Sequence, residues 1–303
     1  MKALVTGASG FVGKYLIEHL KESGDDVFGT DIVSGGPDLS DSVGLADLFH
    51  DVSPEVIFHL AGQADVGHSW NAANETFRSN AEGTLNVLTA ARSADVARII
   101  TVTSADIYGI VSPEDLPLSE DAPFRPVSPY SASKASADLL ALQAYLGHKQ
   151  EVIRVRAFNH LGPGQSDKFV CSALAARIAN NELYGVSKLG VGNLAAKRDF
   201  TDVRDVVRAY RLLALTGKSG EAYNVCSGVS ISIERIASEL LALSTMPMEL
   251  VVDPDLLRPI DLPDLRGNPE KIARDTGWKP ELTLNQTLTD LIGYWRLQLS
   301  LAE

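Results

Sequence analysis

Three side chains could together move a proton and stabilise a developing oxyanion. Tyr130 and Lys134 are four residues apart in a stretch that reads as a helix, so they share one face about 5–6 Å apart at Cβ. A phenol is a poor acid at neutral pH, with a pKa of about 10. A neighbouring ammonium favours the phenolate, so Lys134 is expected to tune Tyr130 as a general acid or base. Ser104 closes an apolar, β-branched strand and could hydrogen-bond a carbonyl oxygen. Two residues further on, Asp106 adds a carboxylate.

The elements around them are those that bind a dinucleotide. Lys2–Thr6 reads as a short strand and Phe11–Glu22 as a helix with Phe11, Tyr15, Leu16 and Leu20 on one face. Between them lie Gly7, Ser9, Gly10, Phe11, Val12 and Gly13, with glycines where a backbone turns tightly and approaches a pyrophosphate at a helix N-terminus. Asp31 ends the next strand, where a carboxylate can bind both ribose hydroxyls of NAD and repel a 2′-phosphate. No Lys or Arg stands between Asp31 and Asp47, so NAD(H) is favoured, with NADP(H) possible. Asp38 and Leu39 follow in a loop that could meet the adenine.

Further strands are expected at Val56–Leu60, Val96–Ser104 and Val152–Arg156. Helices are expected at Ser42–His50, at Asn74–Arg92 with Leu85, Leu88 and Ala91 inward, and at Tyr130–Leu146. The proline-rich stretch Ser112–Pro129 is a loop. Alternating strands and helices imply an α/β fold of Rossmann type, a doubly wound parallel sheet. The pattern loosens after Gly162 and returns with a helix at Val203–Leu215 and a strand at Ala222–Val225. The expected organisation is a dinucleotide-binding domain of residues 1–163 plus 200–229, and a smaller, less regular domain of residues 164–199 plus 230–303.

Composition excludes several classes. The chain of 303 residues has 27 basic and 39 acidic residues, a net charge of −12. A general nucleic-acid binder or a polybasic membrane-surface protein needs the opposite balance. No apolar run approaches a membrane span or a secretory h-region, so a cytoplasmic location is expected. Cys171 and Cys226 stand far apart and read as buried apolar residues. The six histidines lack metal-site spacing, so no metal is expected.

With Gly7/Gly10/Gly13, Ser104 and Tyr130/Lys134 in place, the chain resembles the extended short-chain dehydrogenase/reductase family nearly end to end. His59-Leu60-Ala61-Gly62, Asn80 before Gly83-Thr84-Leu85-Asn86, and Ile107-Tyr108-Gly109 carry the same resemblance. It implies that Lys134 also holds the nicotinamide ribose, that Leu60, Ala61 and Gly62 line the cofactor, and that Asn80 supports the active-site hydrogen bonds. It further implies a homodimer through the helices Asn74–Arg92 and Tyr130–Leu146.

Within that family the chain is most similar to enzymes of nucleotide sugars, the GDP-mannose 4,6-dehydratase and GDP-4-keto-6-deoxy-mannose reductase group. The segments are Phe158-Asn159-His160-Leu161-Gly162-Pro163-Gly164, Lys197-Arg198-Asp199-Phe200, Arg258-Pro259-Ile260-Asp261 and Thr276-Gly277-Trp278-Lys279-Pro280. The resemblance implies a GDP-linked substrate whose diphosphate meets Asn159, Arg198 and Arg258 and whose ribose meets Asp261, with Val170 and Asn193 also in the substrate site. A guanidinium suits a phosphate because it bonds bidentately. Arg198 could instead pair with Asp199, Asp202 or Asp205. Ser104 and Asp106 stand where the resembling dehydratases carry Thr and Glu. A carboxylate one methylene shorter would be displaced by about 1 Å, which can cost about 10²-fold in rate. The expectation is NAD(P)H-dependent reduction of the C4 keto group of a GDP-4-keto-6-deoxy-hexose, forming GDP-rhamnose. The alternatives are a nucleotide-sugar dehydratase or epimerase, and a non-catalytic NAD-binding regulator.

Overall fold

The structure, a computed structural model, describes residues 1–256 and 262–301. Its main sheet has six parallel strands. They are β1 (Lys2–Thr6), β2 (Asp26–Thr30), β3 (Val56–His59), β4 (Arg98–Val102), β5 (Val152–Ala157) and the strand Ala222–Val225. The order is β2-β1-β3-β4-β5 and then Ala222–Val225. Such a sheet is covered on both faces, so its strands alternate between two cores rather than between core and water. Ala3 and Val5 point into one core with Leu16, Leu20, Val206 and Leu213. Leu4 points into the other with Leu45, Phe49, Val87 and Leu88.

Strand order reverses between β1 and β3, and a doubly wound sheet binds its ligand in the crevice at that reversal. After β2 the chain enters a 3-10 turn at Ile32–Ser34, N-capped by Asp31.

The expected helix Asn74–Arg92 is a continuous helical run from Ala73 to Ser93 with a π turn at Arg78–Glu82. Leu85 does not face inward; it is 42% exposed. Thr84 takes the inward position instead, donating to Asn80 O (2.6 Å) and meeting His59 Nε2 (3.1 Å).

The second lobe centres on the helices Val170–Tyr184, Ile233–Ala242 and Leu284–Leu301, which enclose a core that includes Leu174, Ile178, Ile236 and Leu291. Within the stretch 230–303, Ile272 and Trp278 return to the main-sheet core. The indole Nε1 of Trp278 donates to Asp205 O (2.9 Å). Cys171 and Cys226 are buried and free. Among the described residues no helix is long and apolar enough to cross a membrane, and no His, Cys, Asp and Glu group could hold a metal.

Candidate active site

A cleft of about 1800 Å³ runs along the C-terminal ends of β1, β3, β4 and β5 and under the entrance to the second lobe. Sites for one small molecule span about 300–1,000 Å³, so this cleft has room for two ligands.

At one end, the glycine loop is shaped by close backbone approach. Gly7 has φ +71°, and a β-carbon there would lie 2.8 Å from Ala61 N. One on Gly13 would strike Gly7 O and lie 2.9 Å from Ala8 Cα. The helix Phe11–Glu22 begins at Gly10 with no side-chain cap and no acid in its first turn, leaving its N-terminal amides to an anion. Gly7, Gly10, Phe11, Val12 and Gly13 line the cleft. Ser9 does not: its amide donates to Asp31 Oδ2 (3.0 Å). The other Asp31 oxygen accepts from Val33 N (3.1 Å). Asp31, Asp38 and Leu39 line the same end, and Asp38 Oδ1 accepts from the Ser40 amide (2.8 Å) and hydroxyl (2.6 Å).

Leu60, Ala61 and Gly62 form the facing wall. Thr6 Oγ1 accepts from Ala61 N (3.2 Å) and meets His59 Nδ1 (2.9 Å), which locks the ends of β1 and β3 together. Gly62 has φ +150°, and a β-carbon there would lie 2.5 Å from Asn80 Oδ1 and 3.7 Å from Lys134 Nζ. Asn80 does not line the cleft. It accepts from Gln63 N (2.9 Å) and donates to Gln63 O (3.0 Å) and Ser133 Oγ (2.9 Å), tying that wall to the helix Pro129–His148. These tight approaches require glycine because a β-carbon would collide with the neighbouring loop, and the turn they permit is the kind that brings a helix N-terminus to a pyrophosphate.

Ser104, Asp106, Tyr130 and Lys134 meet in the middle of the cleft. Ser128 caps the helix in a capping box, with Pro129 at its first position, so Tyr130 stands in the first turn and faces the strand ends. Ser104 Oγ accepts from Asp106 N (3.1 Å). Lys134 Nζ donates to Val102 O (3.2 Å). Burial pulls the Lys134 ammonium down to about 8. The expected depression of Tyr130 is reversed. Burial, and then the Asp106 carboxylate, push its hydroxyl above the usual phenol value, and a hydrogen bond with Ser104 pulls the other way. Dehydration of the phenolate dominates because the hydroxyl is enclosed.

At the far end, Asn159, His160, Lys168 and Arg198 line the cleft. Arg198 donates to Lys197 O (2.8 Å) and Leu262 O (2.6 Å). The acids beside it are engaged elsewhere: Asp199 accepts from Ser227 and Gly228, Asp202 pairs with Arg204, and Asp205 with Arg208. Two expected substrate residues are not brought to the cleft. Val170 opens its helix packed against the second-lobe core, and Asn193 Oδ1 accepts from Ala195 N (3.0 Å) in a turn. Arg258 and Asp261 lie outside the described residues.

Sequence reading missed Gln63, Lys168 and Tyr210 in the lining. It also missed a buried charge cluster behind the site. Asp138, fully buried, accepts from Arg154 (2.7 Å) and twice from Arg156 (3.0 and 3.1 Å). Arg156 also donates to Tyr108 Oη (3.0 Å) and Glu120 O (2.6 Å), anchoring the loop that follows Ser104. An i, i+2 pair of arginines in a strand was the available signal.

A parallel sheet with its crevice at the strand reversal, a glycine cradle and a Ser–Tyr–Lys set define an extended short-chain dehydrogenase/reductase. The chain matches the family described as GDP-mannose 4,6 dehydratase over residues 32–291. It is 35% identical to the GDP-6-deoxy-D-mannose reductase of Pseudomonas aeruginosa, covering 97% of both chains. The solved structure of RMD from Pseudomonas aeruginosa complexed with NADPH superposes with a TM-score of 0.89 at 34% identity, over 98% of this chain and 100% of that one. The Thermus thermophilus UDP-glucose 4-epimerase complex with NAD superposes with a TM-score of 0.87 at 26% identity, over 98% and 99%. The protein belongs to the GDP-mannose 4,6-dehydratase family.

Proposed function

We propose that the protein reduces the C4 keto group of a GDP-4-keto-6-deoxy-hexose with NAD(P)H, forming GDP-rhamnose. The observation that carries this reading is the enclosed Ser104–Tyr130–Lys134 set at the strand ends. The likeness to the Pseudomonas aeruginosa reductase supports the choice of reaction and of nucleotide.

A nicotinamide dinucleotide held by the glycine loop and Lys134 would supply the hydride that reduces sugar C4. Tyr130 donates its proton to the alkoxide oxygen that results. Ser104 hydrogen-bonds the same oxygen, and Lys134 holds the nicotinamide ribose hydroxyls. Asp106 favours the protonated form of Tyr130 between turnovers. Asn80 positions the Gly62 wall. Asn159 and Arg198, with Arg258, bind the diphosphate, and Asp261 binds the nucleotide ribose.

NADH is the proposed reductant, because Asp31 and the apolar Ile32 and Val33 stand where a 2′-phosphate would need cations. A cytoplasmic homodimer is proposed as well. Phe77, Leu85, Leu139 and Leu146 are exposed along the two helices. Light scattering that shows only monomer would refute it.

The test follows cofactor oxidation with NADH and NADPH against GDP- and other nucleotide-linked 4-keto sugars. Tyr130→Phe should lower kcat by about 10²–10⁴-fold while sparing dinucleotide binding. A variant with near-full turnover would overturn the assignment. A 4-keto product formed from GDP-mannose alone would shift the reading to a dehydratase.

A further inference from the structure

Tyr210 is a residue of the cleft whose chemistry the mechanism leaves unused. It lies on the helix Val203–Thr216, whose core-facing neighbours Val206, Val207, Leu213 and Ala214 are apolar. The side chain is fully buried, and its hydroxyl has no hydrogen-bond partner among the described residues. An unpartnered buried hydroxyl destabilises a fold, and phenylalanine would fill the same space without that penalty. A tyrosine here therefore suggests a partner that arrives with a ligand.

Its place in the cleft narrows what that partner is. Tyr210 lines the floor together with Val102, Ala157 and Phe158, at the ends of β4 and β5. The glycine cradle follows β1, two places from β4 in the sheet, and Lys134 Nζ donates to Val102 O at the end of β4 itself. The adenine end, at Asp31 and Leu39, is remote in the strand order. A dinucleotide laid from the glycine loop to Lys134 brings its nicotinamide over this floor. The one neutral polar substituent on that ring is the carboxamide. Burial first, and then the nearby Tyr130, hold the Tyr210 hydroxyl protonated, so it is available as a donor.

We propose that the Tyr210 hydroxyl donates a hydrogen bond to the carboxamide of the bound nicotinamide dinucleotide. This rests on the dinucleotide reading above. The contact fixes the rotation of the ring and hence the face presented to the substrate. Tyr210 is thus a cofactor-orienting residue.

The test compares NADH with ADP-ribose, which lacks the nicotinamide, by titration calorimetry on wild type and Tyr210→Phe. The expected result is a loss of about three- to tenfold in NADH affinity, with ADP-ribose affinity unchanged. The ligand-free variant should melt at the wild-type temperature or above it, because an unpartnered hydroxyl has gone. Equal losses for both ligands, or no loss for either, would overturn the proposal. So would a rise in KM for the sugar with NADH affinity intact, which would place the hydroxyl on the substrate. Wild type that binds neither ligand would refute the dinucleotide reading itself and this proposal with it.

Discussion

Replacing Asp138 with asparagine should destabilise the protein more than any exposed charge change. Asp138 has no solvent exposure, and its carboxylate is the shared acceptor for two guanidinium groups that are themselves largely buried. Asparagine keeps the volume but removes the charge and turns an NH2 toward donors. Breaking a buried ion pair on one side costs about 3–5 kcal/mol, mainly because the remaining charge is stranded. A chain of this size loses about 2 °C of Tm per kcal/mol, so the expected drop is about 6–10 °C. Scanning calorimetry on the ligand-free protein measures it. The same reasoning requires that Asp138→Leu combined with Arg154→Leu and Arg156→Met recover part of the loss, since no charge is then stranded although Glu120 O and Gly220 O lose their donors. Turnover should fall in the single variant because Asp138 shares a helix with Tyr130 and Lys134, and Arg156 anchors the loop beyond Ser104. A Tm drop under about 2 °C, or a triple variant less stable than the single one, would refute the argument.

Two further outcomes follow from the site. Lys134 titrates near 8 when folded and at its ordinary value of 10.5 when unfolded. Between those values the unfolded chain binds the extra proton, so stability rises with pH, by up to about 1.4 kcal/mol per unit from this group. Lys134→Met should lose that rise, and melting curves from about pH 7.5 to 10 that stay parallel for the two proteins would contradict it. Gly13→Ala should gain helix propensity yet lose stability, because the new β-carbon meets Gly7 O and Ala8 and overpacking costs about 1–3 kcal/mol. Its affinity for NADH should fall at least tenfold, and fluorescence titration at wild-type affinity would show that the cradle tolerates a side chain.

Much of this protein is local in origin, and that part is legible in the chain. Glycines between a strand and a helix, an acid after the second strand, and a Tyr and Lys one helical turn apart state their chemistry by type and spacing. The alternation of strand and helix implies the parallel sheet, because a parallel connection needs a crossover. The tertiary structure decided whatever depends on which groups share an enclosed space. Leu85 reads as an inward residue, but the π turn and the polar bond of Thr84 to His59 rotate it to the surface. Val170 and Asn193 have suitable positions in the sequence, but Val170 packs against the second-lobe core, Asn193 Oδ1 accepts from Ala195 N, and neither lines the cleft. The shift of Tyr130 runs upward because burial, which spacing does not encode, and then the Asp106 carboxylate disfavour the phenolate. The Asp138 cluster and the unpartnered Tyr210 hydroxyl were hidden for the same reason. Asp138 meets Arg154 and Arg156 across neighbouring elements only once the helix Pro129–His148 has packed on the sheet, and the Tyr210 hydroxyl owes its isolation to the same packing.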